Sequence, residues 1–154
     1  MWTLKSGERV VDRHASHLHG DVVALLPAAL AAIESGSKKF LVASHDFGCV
    51  IGESVCVATE PSDTIVYAQR LCRFGFTRFV KNRSPEPTTK VTAILKAGDG
   101  GEYVLITAFI GAPAEPEPWD RNATADSRAF WDSHALIWGS EPTIPGTETD
   151  RCPW

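Results

Sequence analysis

Several signatures are missing from this 154-residue sequence, and each absence removes a class of chemistry. There is no glycine-rich phosphate loop of the Walker type, no dinucleotide fingerprint, no His-Glu-x-x-His and no Gly-x-Ser-x-Gly elbow. P-loop nucleotide hydrolysis, Rossmann-type cofactor binding, zincin chemistry and serine-hydrolase chemistry are therefore not indicated. The four cysteines, Cys49, Cys56, Cys72 and Cys152, contain no Cys-x-x-Cys pair. Nothing at the N-terminus has the basic, apolar, small-residue order of a secretory signal. Reduced thiols in a cytoplasmic protein are expected, with Cys49 and Cys56 as packing residues. No apolar run approaches the ~20 residues that cross a bilayer, so no membrane partner is expected.

Acidic side chains are absent from one further stretch. Arg70, Arg73, Arg78, Lys81 and Arg83 fall within fourteen residues with no Asp or Glu among them, in a chain whose formal charge is −4. The charge is unevenly spread: residues 38–96 sum to +4 and residues 97–154 to −7. A concentrated positive segment on an anionic chain points to an anionic ligand, or else to a solvated edge strand guarded by cations. The acidic total counts against non-specific binding to a long polyanion and leaves a local phosphate cleft open.

The hydrophobic content of 44% suffices for one core, and a single globular domain over 1–154 is expected, with 139–154 as an extended or flexible tail. Residues 21–35 read as a helix, with Val22, Leu25, Leu26, Ala29 and Ile33 in a buried stripe, Asp21 as N-cap and Gly36 as the stop. Strand-like segments follow at 39–44, 49–58, 64–70, 75–82, 90–97 and 102–110, the last two joined by a hairpin at Ala97-Gly98-Asp99-Gly100-Gly101. Pro113, Pro116 and Pro118 end regular structure, and Asp126 to Trp138 reads as a short second helix. The expected class is α+β: an N-terminal helix packed on an antiparallel meander of four to six strands, closed by a short C-terminal helix.

Histidine, arginine and hydroxyl chemistry remains available. His14, His17 and His19 cluster ahead of the first helix, but no second ligand cluster stands at zinc spacing, so no metal and no cofactor is expected. His45 ends the run Phe40-Leu41-Val42-Ala43-Ser44 before the turn Asp46-Phe47-Gly48, a placement suited to a general acid or base, or to a turn histidine bonded to backbone.

Phe76-Thr77-Arg78-Phe79-Val80-Lys81, followed by a strand, a glycine-rich turn and Tyr103-Val104-Leu105-Ile106-Thr107-Ala108-Phe109, resembles the sheet of the Barnase–EndoU–colicin–RelE ribonucleases, particularly their phage and polymorphic-toxin members. The resemblance spans roughly residues 45–110. It implies metal-independent cleavage of RNA, such as a transfer RNA, by attack of the ribose 2′-hydroxyl on the adjacent phosphodiester. That reaction needs a base, an acid and cations that stabilise the phosphorane. The resemblance assigns the phosphate to Arg78 and Lys81, with Arg70 or Arg73 completing the cationic side. It gives a phosphate hydrogen bond to Thr107, proton transfer to His45 with His17 second, and base stacking to Phe109, which as a strand residue also reads as core. The helix-borne histidine pair of many such toxins is missing, since His14 and His17 precede the helix. The alternative is a non-catalytic protein that engages a partner or inhibitor through its acidic C-terminal third and Trp119, Trp131 and Trp138.

Overall fold

The computed structural model describes residues 2–13, 18, 20–71 and 73–154. The class is α+β, with two α-helices among the described residues and a predominance of sheet. The chain divides into two compact units, one made of residues 1–53 and 87–113, the other of 54–86 and 114–154. The strands do not form one meander. They form sheets of five and four strands, plus a two-stranded sheet made by β4 (Gly52–Ser54) and β8 (Glu86–Thr88).

In the first unit the sheet order is β1 (Trp2–Thr3), β2 (Arg9–Asp12), β10 (Tyr103–Ile110), β9 (Lys90–Ala97), β3 (Phe40–Asp46). All neighbours are antiparallel except β2 and β10. The helix α1 (Gly20–Ala31) covers one face: Val22, Leu26, Ala29 and Leu30 share a core with Val10, Val91, Ala93, Leu95, Tyr103 and Leu105. Asp21 lies in the first turn rather than at the cap. The helix stops short of Gly36. Tertiary hydrogen bonds outcompete further turns: Lys5 N–H donates to the Ile33 carbonyl (2.8 Å), and Ser35 is held by Ser6 (2.8 Å) and Glu8 (2.8 Å). The β9–β10 hairpin forms as its sequence predicts. Gly100 and Gly101, at φ of 75° and 80°, occupy the left-handed region that side chains avoid.

In the second unit the order is β5 (Cys56–Ala58), β11 (His134–Ile137), β7 (Phe76–Val80), β6 (Ile65–Gln69). The segment expected as one helix to Trp138 divides in two. Helix α2 (Ala125–Ser133) starts at a Thr124/Ser127 capping box, and Ser133 Oγ donates to the Phe130 carbonyl at its end (3.1 Å). His134 then turns into β11, because Ala135, Leu136 and Ile137 find partners on both sides, β5 and β7. One face of this sheet packs Val66, Ala68, Phe79 and Leu136 with the α2 residue Trp131. Trp131 is therefore core, and Trp119 and Trp138 are half-buried, so the three tryptophans are not an open partner surface. The C-terminal segment is extended and tied down along the sheet: Thr149 bridges Tyr67 and Thr143 bridges Arg70.

Candidate functional site

The second unit gathers the basic run, and most of its cations are already neutralised. The Arg70 guanidinium is buried. It is ion-paired to Glu117 and, at 2.6 Å, to Glu141, while its Nε donates to Thr77 Oγ1 (2.9 Å). The Thr77 hydroxyl donates in turn to Glu117. Lys81 pairs with Glu148 (2.9 Å) and stands 4.7 Å above the Trp138 ring. Arg83 pairs with Asp63 (3.2 Å) and Glu86 (2.6 Å). Three of the carboxylates, Glu117, Glu141 and Glu148, come from the acidic last third. The two charge blocks of the sequence are thus partners within the chain. Arg70 is spent on buried internal pairs, a correction to its expected role as a phosphate ligand, whereas the Lys81–Glu148 pair stands at the surface. Arg73 is exposed; its backbone N–H donates to the Arg70 carbonyl (3.3 Å).

Arg78 is different. It sits in β7 directly opposite Tyr67 of β6. Its Nη1 donates to Thr59 Oγ1 (2.9 Å) and to the His134 carbonyl (2.9 Å). No carboxylate among the described residues approaches within 4.0 Å of it, although each of the three ion-paired cations of the run has one. The Tyr67 phenol is a neighbour of both Arg78 and the Cys152 thiol. Burial raises its pKa most, the thiol adds to the rise, and the guanidinium offsets part of it. Arg78 is half-buried and permanently charged, and only neutral groups face it. Two donors of its five-donor fork are taken by Thr59 and His134, so the remainder, at a positive site without a counter-charge, suits an oxyanion.

His45, Thr107 and Phe109 belong to the first unit. His45 pairs across the ladder with Val91, and Ile110 pairs with the same Val91, so His45 lies on the helix-covered face of the sheet. Its ring meets Phe47 edge-on at 4.7 Å. Thr107 pairs with Ile94 and Phe109 with Thr92, which alternate with Val91 and Ala93 and point to the other face. The cause is a bulge: the β9–β10 register shifts between Leu105 and Thr107, with Ile106 the extra residue. Without that shift Thr107 would stand opposite Ala93, on the same face as His45. One inserted residue turns every following side chain over. The expected convergence of His45 and Thr107 is therefore corrected: they lie on opposite faces of one sheet. His17, like His14, His19 and Cys72, lies outside the described residues.

One other expectation changes. Cys49 is exposed rather than packed, whereas Cys56 is half-buried and burial pushes its thiol up to about 11. No group of three or more metal-ligating side chains occurs among the described residues. Tyr67, Thr59, His134 and Cys152 escaped sequence reasoning. Only Tyr67 carried a local signal, as the residue a β6–β7 hairpin sets across from Arg78. Comparison with protein-family models, with curated proteins and with solved structures finds no match.

Proposed function

We propose that this chain is a metal-independent endoribonuclease-type domain in which Arg78 holds a phosphate of a structured RNA. The observation that carries the proposal is the half-buried Arg78 guanidinium, bonded to Thr59 and His134 and free of any carboxylate among the described residues. A phosphodiester supplies the missing negative charge and accepts from a planar fork in bidentate fashion. Tyr67, protonated at neutral pH because burial raises its phenol, is a hydrogen-bond donor beside that phosphate and takes the role first given to Thr107. No proton-transfer residue is assigned at this phosphate, because His45 and Thr107 belong to the first unit and Arg78 to the second. Cleavage by 2′-hydroxyl attack comes from the resemblance of residues 45–110, and a cytoplasmic setting from the cysteine pattern and the lack of a secretory-type order at the N-terminus. Incubation with total RNA in the presence of a chelator tests the proposal: the wild type cleaves, and Arg78→Ala and Arg78→Lys each lose at least about tenfold, the lysine because it cannot form the fork. Retained cleavage in Arg78→Ala, with the fold intact by circular dichroism, rejects the site. No metal-free cleavage by the wild type rejects the reaction.

A second function, as a non-catalytic interaction protein, is favoured by a different feature of the second unit. Phe74 is 92% exposed and Leu71 is 51% exposed on the turn between β6 and β7. Exposed apolar residues clustered on a loop suit a protein partner better than solvent. Under this proposal Phe74→Ser abolishes the interaction and leaves any RNA cleavage unchanged.

A further inference from the structure

The edge of the five-stranded sheet carries an inference independent of the ribonuclease proposal. β3 is the last strand in the order, and among the described residues it pairs with β9 on one side only. The Lys39 carbonyl accepts from Ala97 N–H (2.7 Å) and Phe47 N–H donates to the Thr89 carbonyl (2.8 Å), so odd-numbered residues of β3 direct their backbone groups toward the β9 side. The even-numbered residues, Phe40, Val42, Ser44 and Asp46, direct theirs outward. No backbone hydrogen bond within the described residues takes up those outward groups. The same four side chains are exposed, Phe40 and Val42 each by 52%.

Natural edge strands are protected by a bulge, a proline, a central charge or a covering element. β3 has none of the first three: its register on β9 is unbroken from Phe40 to Asp46, and its interior reads Leu41-Val42-Ala43-Ser44-His45. Its Lys and Asp charges stand only at its ends, Lys38 and Lys39 before the strand and Asp46 at its close, all exposed.

We propose that β3 pairs antiparallel with β3 of a second copy of this chain, with Val42 on the two-fold axis, joining two five-stranded sheets into one continuous sheet. The register follows from geometry. A two-fold axis perpendicular to the sheet keeps each side chain on its own face, so only residues of like parity can oppose each other. Centring on Val42 places outward-directed residues against outward-directed residues: Val42 against Val42, and Phe40 against Ser44 in both senses. It also sets Lys38 of each copy against Asp46 of the other, an opposite-charge pair at both rims. Centring on Ala43 instead would oppose inward-directed groups and set the Phe40 ring against the Asp46 carboxylate. The sequence of the edge is thus self-complementary in hydrogen bonding, in apolar contact and in charge, as an isologous interface requires.

Sedimentation equilibrium of the full-length chain across micromolar to millimolar concentrations tests the proposal. The wild type is expected to reach twice the chain mass of 16.7 kDa at the upper end, and added salt weakens the association by screening the Lys38–Asp46 rims. Val42→Lys, which brings two ammonium groups together on the axis at an already exposed position, is expected to sediment as a monomer with an unchanged circular-dichroism spectrum. Should that variant unfold, Ser44→Lys, also exposed and opposed to Phe40, is expected to give the same monomer. A wild type that stays monomeric at every concentration overturns the proposal. So does a folded Val42→Lys or Ser44→Lys that still dimerises as tightly as the wild type.

Discussion

Arg70 and Glu117 lie 47 residues apart in sequence and meet as an ion pair in which the two side chains are only 9% and 10% exposed. Thr77 bonds to both of them, and Glu141 reaches the same guanidinium from the C-terminal segment. The buried network ties β6, β7, the proline-rich stretch and the chain's last third together within the second unit.

Breaking this network from one side is expected to cost more than removing it. Arg70→Ala leaves the Glu117 carboxylate buried with only the Thr77 hydroxyl as partner, a loss of about 3 kcal/mol. The double variant Arg70→Met/Glu117→Leu replaces both charges with apolar bulk and is expected to recover most of that loss. Urea unfolding of the two variants checks the order, and a double variant less stable than Arg70→Ala would contradict it.

The Glu117 carboxyl also predicts a pH dependence. Burial raises its pKa above the ordinary glutamate value, against the opposing pull of the Thr77 hydroxyl and the Arg70 guanidinium. A carboxyl raised on folding favours the folded state in its protonated form. Its contribution is fully present below the unfolded-state value and is lost as pH rises through the raised one. Relative to Glu117→Gln, the wild type is therefore expected to lose stability between mildly acidic and neutral pH. Urea midpoints of both proteins across that window report the trend, and a constant difference would refute it.

Gly75 is held to glycine by Trp119. A Cβ at that position would stand 2.1 Å from the indole Cγ and 2.4 Å from Cδ1. The indole Nε1 is buried there without a hydrogen-bond partner among the described residues. Gly75→Ala is expected to destabilise the chain by about 1–3 kcal/mol and to shift tryptophan emission, as the ring is pushed from its seat. In a Trp119→Ala background the same substitution is expected to cost far less, which a double-mutant cycle measures.

Thiol chemistry should separate the cysteines. Cys49 and Cys152 are exposed, whereas burial holds the Cys56 thiol at about 11, so little thiolate exists there at neutral pH. Timed alkylation followed by peptide mass spectrometry is expected to label Cys49 and Cys152 in the native protein and Cys56 only on unfolding. Equal rates would show that the β5 end of the sheet opens readily.

Local pattern carries part of this fold. The stripe of Val22, Leu26 and Ala29 places α1, alternation places β3, β6, β7, β9 and β10, and the glycines after Ala97 place the hairpin. Non-local pairing is what local pattern does not carry. β2 is four residues long and earns its place only by lying parallel to β10, some ninety residues later. Ala135, Leu136 and Ile137 suit a helix as well as a strand until β5 and β7 flank them. The basic run is plain in sequence, but its neutralisation by Glu117, Glu141 and Glu148 depends on contacts across 47 to 71 residues. Arg78 is legible by residue type as a candidate for an anion ligand. Its distinction from Arg70 and Lys81 is not, since that lies in which cations the carboxylates leave alone. The face of Thr107 turned on a single bulge at Ile106, a one-residue slip that strand alternation cannot reveal.

Each compact unit is assembled from two separated stretches of chain, with 54–86 lying between the halves of the first and 87–113 between the halves of the second. During synthesis, then, the first sheet waits for β10 to emerge before β2 and β9 have their shared neighbour. The second sheet waits longer still, for β11 and for Thr149 to seat on Tyr67. Such late, distant closures slow folding and leave strand edges bare in the meantime. A stop codon anywhere before the final helix thus yields a product whose second unit lacks a central strand, and no single proteolytic cut releases either unit as one uninterrupted peptide.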